Sequence, residues 1–245
     1  MTLTIFILFE LRIIINFLMK IAIICDIHQS VFWRKIIDQK ENFDKIIFLG
    51  DEFDSWDNMW PLQMDNALDI IEFKIENPEK VDLCWSNHAA SYFLDERCSG
   101  YQFEHAIDIK EFYLLNKTLF NVVYVYDNWI FSHGGISAKW MKCSGLNDIS
   151  GINQLFKERP NFFRWIGPDG YGNNANEGPL WIRPEALINN CVTEYNQVVG
   201  HSENVQPKII RKFKQIFVFC DTHDHNYLTV LDTKTNLVEF VNLKN

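Results

Sequence analysis

The stretch MKIAIICDIH, residues 19–28, decides the fold. Residues 21–25 are uninterrupted apolar, and the run stops at Asp26 and His28. A short continuous apolar run bounded by a turn reads as a strand buried on both faces. In extended chain, residues i and i+2 project to the same side, so Asp26 and His28 face one point at the strand's carboxyl end. The same arrangement recurs four times. Gly50-Asp51-Glu52-Phe53-Asp54 follows KIIFL, Ser86-Asn87-His88 follows VDLCW, Ser132-His133-Gly134-Gly135 follows NWIF, and Gly200-His201-Ser202 follows NQVV. In open α/β sheets, ligands bind beyond the carboxyl ends of strands, so five such turns are expected to converge on one crevice.

Carboxylate, imidazole and amide oxygen form a mixed nitrogen and oxygen set suited to Mn, Fe or Zn. Two ions roughly 3.5–4 Å apart need a bridging carboxylate, and Asp51 is the natural candidate. Each cluster alone is weak. A strand-end Asp is commonly a helix or turn cap, and a lone His88 or His133 is more often structural than catalytic. The joint order and strand context of all five carry the reading.

Outward from these clusters, strands are predicted at 21–25, 45–49, 81–85, 122–126, 129–132, 197–199, 216–220, 228–232 and 237–243. Helices are predicted at 63–76, with Met64, Leu68, Ile71 and Ile75 on one face, and at 103–115. Strands and helices alternate early, and strands crowd together late. This predicts a layered α/β fold, with a central sheet or a sandwich of two sheets flanked by helices. Residues 138–190 differ in texture, with Trp140, Phe156, Phe162, Phe163, Trp165, Tyr171 and Trp181 around a Gly/Asn-rich stretch. They read as an insertion with its own long loop, either a functional lid or a surface excursion pinned by aromatics. Residues 19–245 are thus expected to be one domain carrying that insertion. Residues 1–18 are mostly apolar but interrupted by Glu10 and Arg12, and lack the plan of a signal peptide. They read as an extension upstream of the native start, a membrane anchor being the alternative.

The chain has 245 residues, 47% hydrophobic and 22% charged, which is ample for a buried core and argues against disorder. A formal net charge of -9 disfavours binding to nucleic acid or an anionic membrane. Six cysteines without a CxxC pair read as buried free thiols in a reducing compartment, the cytoplasm.

The order DxH, GDxxD, NH, H, GH resembles the calcineurin-like metallophosphoesterase superfamily. HGGIS at 133–137, GPLWIRP at 178–184 and FCDTHDHNYLTVLD at 219–232 resemble more narrowly its phosphoprotein phosphatase (PPP) branch and the bacterial and phage members of that branch. The resemblance covers essentially residue 19 to the C-terminus. It implies that Asp26, His28 and Asp51 hold one metal and that Asp51, Asn87, His133 and His201 hold the second. It also implies that His88, oriented by Asp54, gives a proton to the leaving group, while metal-bound hydroxide attacks phosphorus. A carboxylate beside an imidazole favours the protonated, acid-competent ring. The chain departs from the family pattern where Ser55-Trp56 replaces the phosphate-gripping arginine after GDxxD, and where Ser86 and Ala89 flank Asn87-His88 in place of Gly and Glu. Arg183 is a substitute cation for phosphate, or else a surface salt bridge. Asp221, His223 and His225 alternate like ligands, but Thr222 and Asp224 between them signal a turn, and the tract reads as incidental. His105 reads as structural.

The expected function is hydrolysis of a phosphomonoester, including a serine or threonine phosphoprotein, with two divalent ions as cofactors and a phosphorylated substrate as partner. Hydrolysis of a phosphodiester or dinucleoside polyphosphate is the enzymatic alternative. A non-catalytic, metal-stabilised interaction module is the alternative of another class, and it would have no use for the proton donor His88.

Overall fold

A computed structural model describes residues 19–28, 30–55, 60–167, 171–222 and 226–244. Among the described residues, eleven strands form two mixed sheets. The first contains β1 (Lys20–Ile24), β2 (Lys45–Phe48), β3 (Val81–Cys84), β4 (Phe120–Asn121), β10 (Tyr227–Asp232) and β11 (Leu237–Asn242), in the order β11-β10-β1-β2-β3-β4. The second contains β5 (Val123–Tyr126), β6 (Trp129–Ser132), β7 (Asn196–Val199), β8 (Lys208–Lys212) and β9 (Gln215–Phe219), in the order β5-β6-β7-β9-β8. The α-helices are α1 (Trp60–Glu76), α2 (Asn87–Phe93), α3 (Ala106–Asn116), α4 (Ala138–Ser144), α5 (Ile152–Glu158) and α6 (Pro184–Asn189). A long 3₁₀ segment covers Phe32–Asn42.

Strand alternation builds the layers. In β1 and the residue after it, Ile21, Ile23 and Cys25 join Ile47, Leu49, Trp129, Phe131, Val198 and Val218 in one buried cluster that both sheets supply. Ala22 and Ile24 project to the opposite face, where they join Ile46, Phe48, Trp33, Ala67 and Ile70 under the helices. On the far side of the second sheet, Phe217 and Phe219 meet Leu187 of α6. Strands buried on both faces are therefore continuous apolar runs, and all nine predicted strands are present within one residue at either end. The layered α/β expectation resolves to two sheets with helices outside them.

Helix α1 corrects one expectation. Leu68 and Ile75, predicted to face the core, are exposed, whereas Gln63, Asn66, Ala67, Ile70, Ile71 and Phe73 are buried. The helix is rotated by about one residue from the apolar stripe, because two polar side chains are satisfied inside. Asn66 Oδ1 accepts from Trp33 Nε1 at 3.0 Å, and Gln63 Oε1 accepts from Gln102 Nε2 at 2.7 Å. The predicted helix at 103–115 is a 3₁₀ turn, Phe103–His105, running into α3. His105 stacks on Trp60 with ring centroids 4.2 Å apart, a packing role.

Of the aromatics of residues 138–190, Trp140, Phe156 and Phe163 are buried, whereas Trp165 and Tyr171 are exposed. Phe163 contacts Trp140 at 5.1 Å and Phe156 at 5.0 Å, and Phe156 contacts Trp85 at 5.1 Å. All six cysteines are unpaired. Cys25, Cys84 and Cys220 are buried as expected, but Cys143 is exposed because it lies on the outer face of α4 rather than in a strand. Among the described residues, no helix is long and apolar enough to cross a membrane. Residues 1–18, and His223, Asp224 and His225 of the late tract, lie outside the described residues.

Glu177 is fully buried, and among the described residues its carboxylate accepts from the Ile166 N–H, at 3.4 Å to either oxygen. Burial pushes its pKa up to about 7, against the weak pull of that hydrogen bond. A folded-state pKa above the unfolded one means that Glu177's contribution is whole below about pH 4.3 and is lost as pH rises through 7. Glu177→Gln is therefore expected to stabilise the protein by about 1–2 kcal/mol at pH 8, after allowance for solvent screening, and to change little near pH 4.5. Urea unfolding of both proteins at the two pH values measures this, and an equal difference at both would contradict it.

Candidate metal centre and active site

Strands β1, β2 and β3 are adjacent and parallel in one sheet, and β6 and β7 are adjacent and parallel in the other. Their carboxyl ends therefore lie along one edge of the sandwich, and hydrogen bonds tie the five turns together. His28 N donates to Asp51 O at 2.6 Å, and Gly200 N donates to His133 O at 2.9 Å. His201 N donates to Asp26 Oδ1 at 2.9 Å, joining the two sheets.

The structure brings all six predicted ligands together. Asp51 Oδ2 lies 3.5 Å from His28 Nε2 and 3.6 Å from His133 Nε2. Asp26, Asp51 and His133 offer ligand atoms within 4.8 Å of one another. Asn87 Oδ1 is 2.6 Å from His133 Nε2, and the rings of His133 and His201 are 5.1 Å apart. Five residues of the centre, Asp26, His28, Asp51, Asp54 and His201, have φ between 35° and 68°. Such backbone costs roughly 1–3 kcal/mol per residue and gathers where geometry is imposed by function.

The hydrogen bonds define the proton positions. A carbonyl only accepts, so His28 Nδ1, 2.9 Å from Phe53 O, and His133 Nδ1, 2.9 Å from Leu49 O, each carry a proton. Burial lowers the pKa of both rings, against the pull of Asp51, and keeps them neutral. Their Nε2 lone pairs then face the Asp51 carboxylate. His201 takes the other tautomer, since its Nε2 lies 3.0 Å from Trp181 O, which leaves Nδ1 as the atom that could meet a metal. Burial and the neighbouring His133 hold His201 well below the ordinary histidine range. Asp26 is raised well above the carboxylate range by burial and by the charges of Asp221 and Asp51. Oδ1 of Asp51 is buried and meets no hydrogen-bond donor among the described residues. Acceptors crowded against acceptors, with an orphaned carboxylate oxygen among them, fit divalent cations and fit little else.

His88 behaves oppositely. Its Nδ1 donates to Asp54 Oδ2 at 2.7 Å, and its Nε2 lies 3.9 Å from Asp51 Oδ2. Burial alone would lower its pKa, but Asp51 and Asp54 outweigh this and raise it well above the ordinary range. Asp54 is fully buried, and its other oxygen accepts from Tyr92 Oη and from Gln102 Nε2, the latter at 3.5 Å. A ring whose protonated form is favoured thus stands at the rim of the acceptor cluster, oriented by a carboxylate that is itself fixed.

Three small residues, Gly50, Ser86 and Gly200, set the close approaches. Ser86 caps α2 by accepting from Ala89 N at 3.2 Å, and its hydroxyl also accepts from Asp51 N at 3.1 Å. A Cβ on Gly50 would meet Ser86 Cβ at 2.5 Å, so serine at 86 is matched by glycine at 50. A Cβ on Gly200 would stand 2.0 Å from Asp26 Oδ2. Gly200→Ala is therefore expected to displace Asp26 and lower metal affinity about 10–100-fold, the usual cost of disturbing groups that orient ligands. Metal content after dialysis against graded chelator checks this, and full retention would refute it.

Three solved structures share this layered arrangement over most of the chain. A cold-active protein tyrosine phosphatase superposes with a TM-score of 0.62 at 17% identity, covering 91% of this chain and 79% of its own. A protein serine/threonine phosphatase from Saccharomyces cerevisiae, described as similar to human phosphatase PP5, gives 0.58 at 15% identity, covering 91% and 80%. A metallophosphoesterase from Sphaerobacter thermophilus gives 0.54 at 12% identity, covering 92% and 88%. The chain has the metallophosphoesterase fold. No family profile and no curated protein matches the sequence, so the likeness is one of structure.

Within this metallophosphoesterase fold, Arg183 is exposed beside the centre. Its Nε donates to Tyr171 O at 2.6 Å and its Nη1 to Ser202 Oγ at 3.4 Å, and its charge reaches His201 and Asp221. Four groups near the centre were not singled out as site residues from sequence. Asp221, read there only as part of an incidental tract, is buried within Coulombic reach of Asp51 and raised to about 7 by burial and that charge. Tyr92, Cys98 and Gln102 surround the His88–Asp54 pair. Tyr92 follows His88 by one helical turn, the one signal that could have found it. Nothing local marks the other two.

Proposed function

We propose that the chain is a metal-dependent phosphoesterase that hydrolyses a phosphomonoester. The observation that carries this is the pairing of two opposite histidine environments around Asp51. Neutral imidazoles face it as ligands, and the protonated His88 faces it as an acid. Asp26, His28 and Asp51 would hold one ion, and Asp51, Asn87, His133 and His201 a second, with Mn, Fe or Zn suited to the donors. When bound, such ions polarise the phosphoryl oxygens and activate the attacking water.

The protein's own groups do the rest. Asp54 holds the His88 ring with Nε2 toward the centre, where it gives its proton to the departing alkoxide. Arg183, kept off other carboxylates by Tyr171 O and Ser202, is the cation for the substrate phosphate, replacing the family arginine whose position Ser55-Trp56 occupies. Loss of that arginine favours the second reading, a phosphodiester or dinucleoside polyphosphate, over a bulky phosphoprotein. Six unpaired cysteines support a reducing compartment, the cytoplasm.

A turnover screen with Mn²⁺ tests the proposal, comparing phosphopeptides, mononucleotides, diesters and dinucleoside polyphosphates. Chelation is expected to remove activity and Mn²⁺ to restore it. Bound metal with no turnover on any phosphoester would leave only the interaction module.

A further inference from the structure

Cys98 lies outside every predicted motif, yet its Sγ is 3.4 Å from His88 Nδ1 and 3.6 Å from Asp54 Oδ2. The three side chains offer thiol, imidazole and carboxylate within 4.8 Å of one another. With zinc–sulfur bonds of about 2.3 Å and zinc–nitrogen or –oxygen bonds of about 2.0–2.2 Å, a tetrahedral ion needs ligand–ligand edges of roughly 3.4–3.6 Å. Both edges from Cys98 already have that length. The third, His88 Nδ1 to Asp54 Oδ2, is 2.7 Å and must open by roughly 0.7 Å, the change from sharing a proton to sharing a cation. Asp54 Oδ1 is engaged by Tyr92 and Gln102, so Oδ2 is the atom left for an ion. Cys98 is half-buried, which gives the cluster a side open to solvent.

We infer that Cys98, His88 and Asp54 form a second, inhibitory metal site, selective for a soft divalent cation such as Zn²⁺ and separate from the catalytic pair. Thiolate is what separates the two sites chemically. The six-ligand centre contains only nitrogen and oxygen donors, whereas sulfur selects zinc over manganese or magnesium. Binding releases the thiol proton and the Nδ1 proton to solvent, and the ion takes the freed pairs on sulfur and nitrogen. The ring then keeps one proton, on Nε2, and giving it up would leave an imidazolate. His88 is thereby removed as an acid. The inhibitory consequence rests on His88 being the proton donor, as proposed above, but the existence of the site does not.

The test uses the full-length protein loaded with Mn²⁺, with Co²⁺ and Zn²⁺ as probes. Addition of Co²⁺ is expected to give a near-ultraviolet sulfur-to-cobalt charge-transfer band that is lost in Cys98→Ser. The zinc inhibition constant, each protein referred to its own zinc-free rate, is expected to rise about tenfold or more in that variant. Cys98→Ala, checked for fold by circular dichroism, serves if the serine variant fails to fold. Absence of the band, or a band retained in the variants, overturns the site. A Cys98-dependent band with unchanged zinc inhibition overturns the inhibitory role. Should no phosphoester be turned over, the band alone still decides the site, so failure of the proposed activity and failure of this inference are distinguishable.

Discussion

Asp51→Ala is expected to lower turnover by roughly 10³–10⁴-fold or more, the rate equivalent of several kcal/mol of transition-state charge stabilisation. The reason is visible in the packing. Among the described residues, Asp51 faces His28, His88 and His133 together, at 3.5, 3.9 and 3.6 Å. Its own pKa shows the balance. Burial pushes it up, and the positive charge favoured on His88 beside it pulls it down. Removing it would take away the proposed shared ligand of both ions and the largest influence favouring the protonated form of His88. Both metal content and kcat are expected to fall, where a purely structural role would lower Tm and spare the remaining folded activity. Full activity in Asp51→Ala would refute its assigned role. Asp51→Asn separates charge from shape, since the amide fills the space yet bridges ions poorly.

His88→Asn is expected to reduce kcat by about 10²–10⁴-fold, the usual worth of a positioned general acid, with metals still bound. The loss has a diagnostic dependence on leaving group. Nitrophenyl phosphate releases nitrophenolate, a stabilised anion that needs little protonation, so its penalty is expected to be the smaller one. An alkyl phosphate needs the proton and is expected to show the full loss. Equal losses on both would assign His88 to binding or to holding the pocket's shape. Because Asp51 and Asp54 raise the His88 pKa, the acid form persists above the ordinary histidine range. The wild-type alkaline limb should therefore lie above pH 6.5 and be absent from the variant.

The strands and the gathering of the six candidate ligands were legible because each is a local pattern: an apolar run, a polar stop, and a fixed two-residue spacing. What was hidden depends on partners far along the chain. Strand β8 is mostly exposed and pairs only with β9, so KIIRK carries no buried run to betray it. Strand β4 spans only Phe120–Asn121, too short for alternation to show. The 3₁₀ segment Phe32–Asn42 buries only Trp33 and Ile36, too few for a stripe. Helix α1 misled because Gln63 and Asn66 are polar yet buried, and their partners Gln102 and Trp33 lie 39 and 33 residues away. Cys98 stands in DERCSG, a polar turn, and only the fold brings it to His88.

Strand β1 pairs on both sides, Ile24 with Phe48 of β2 and Ile24 with Leu228 of β10. Sliding it by one residue would carry Asp26 and His28 about 3.3 Å along the sheet, beyond ligand reach, and would turn Ile21 and Ile23 out of the sandwich. The same hydrogen-bond ladder thus certifies both the core and the chemistry. A chain trapped in the wrong register would be inert as well as unstable. During refolding, recovered catalysis is then a census of correctly aligned molecules, and it should rise in step with burial of the sandwich rather than lag behind it.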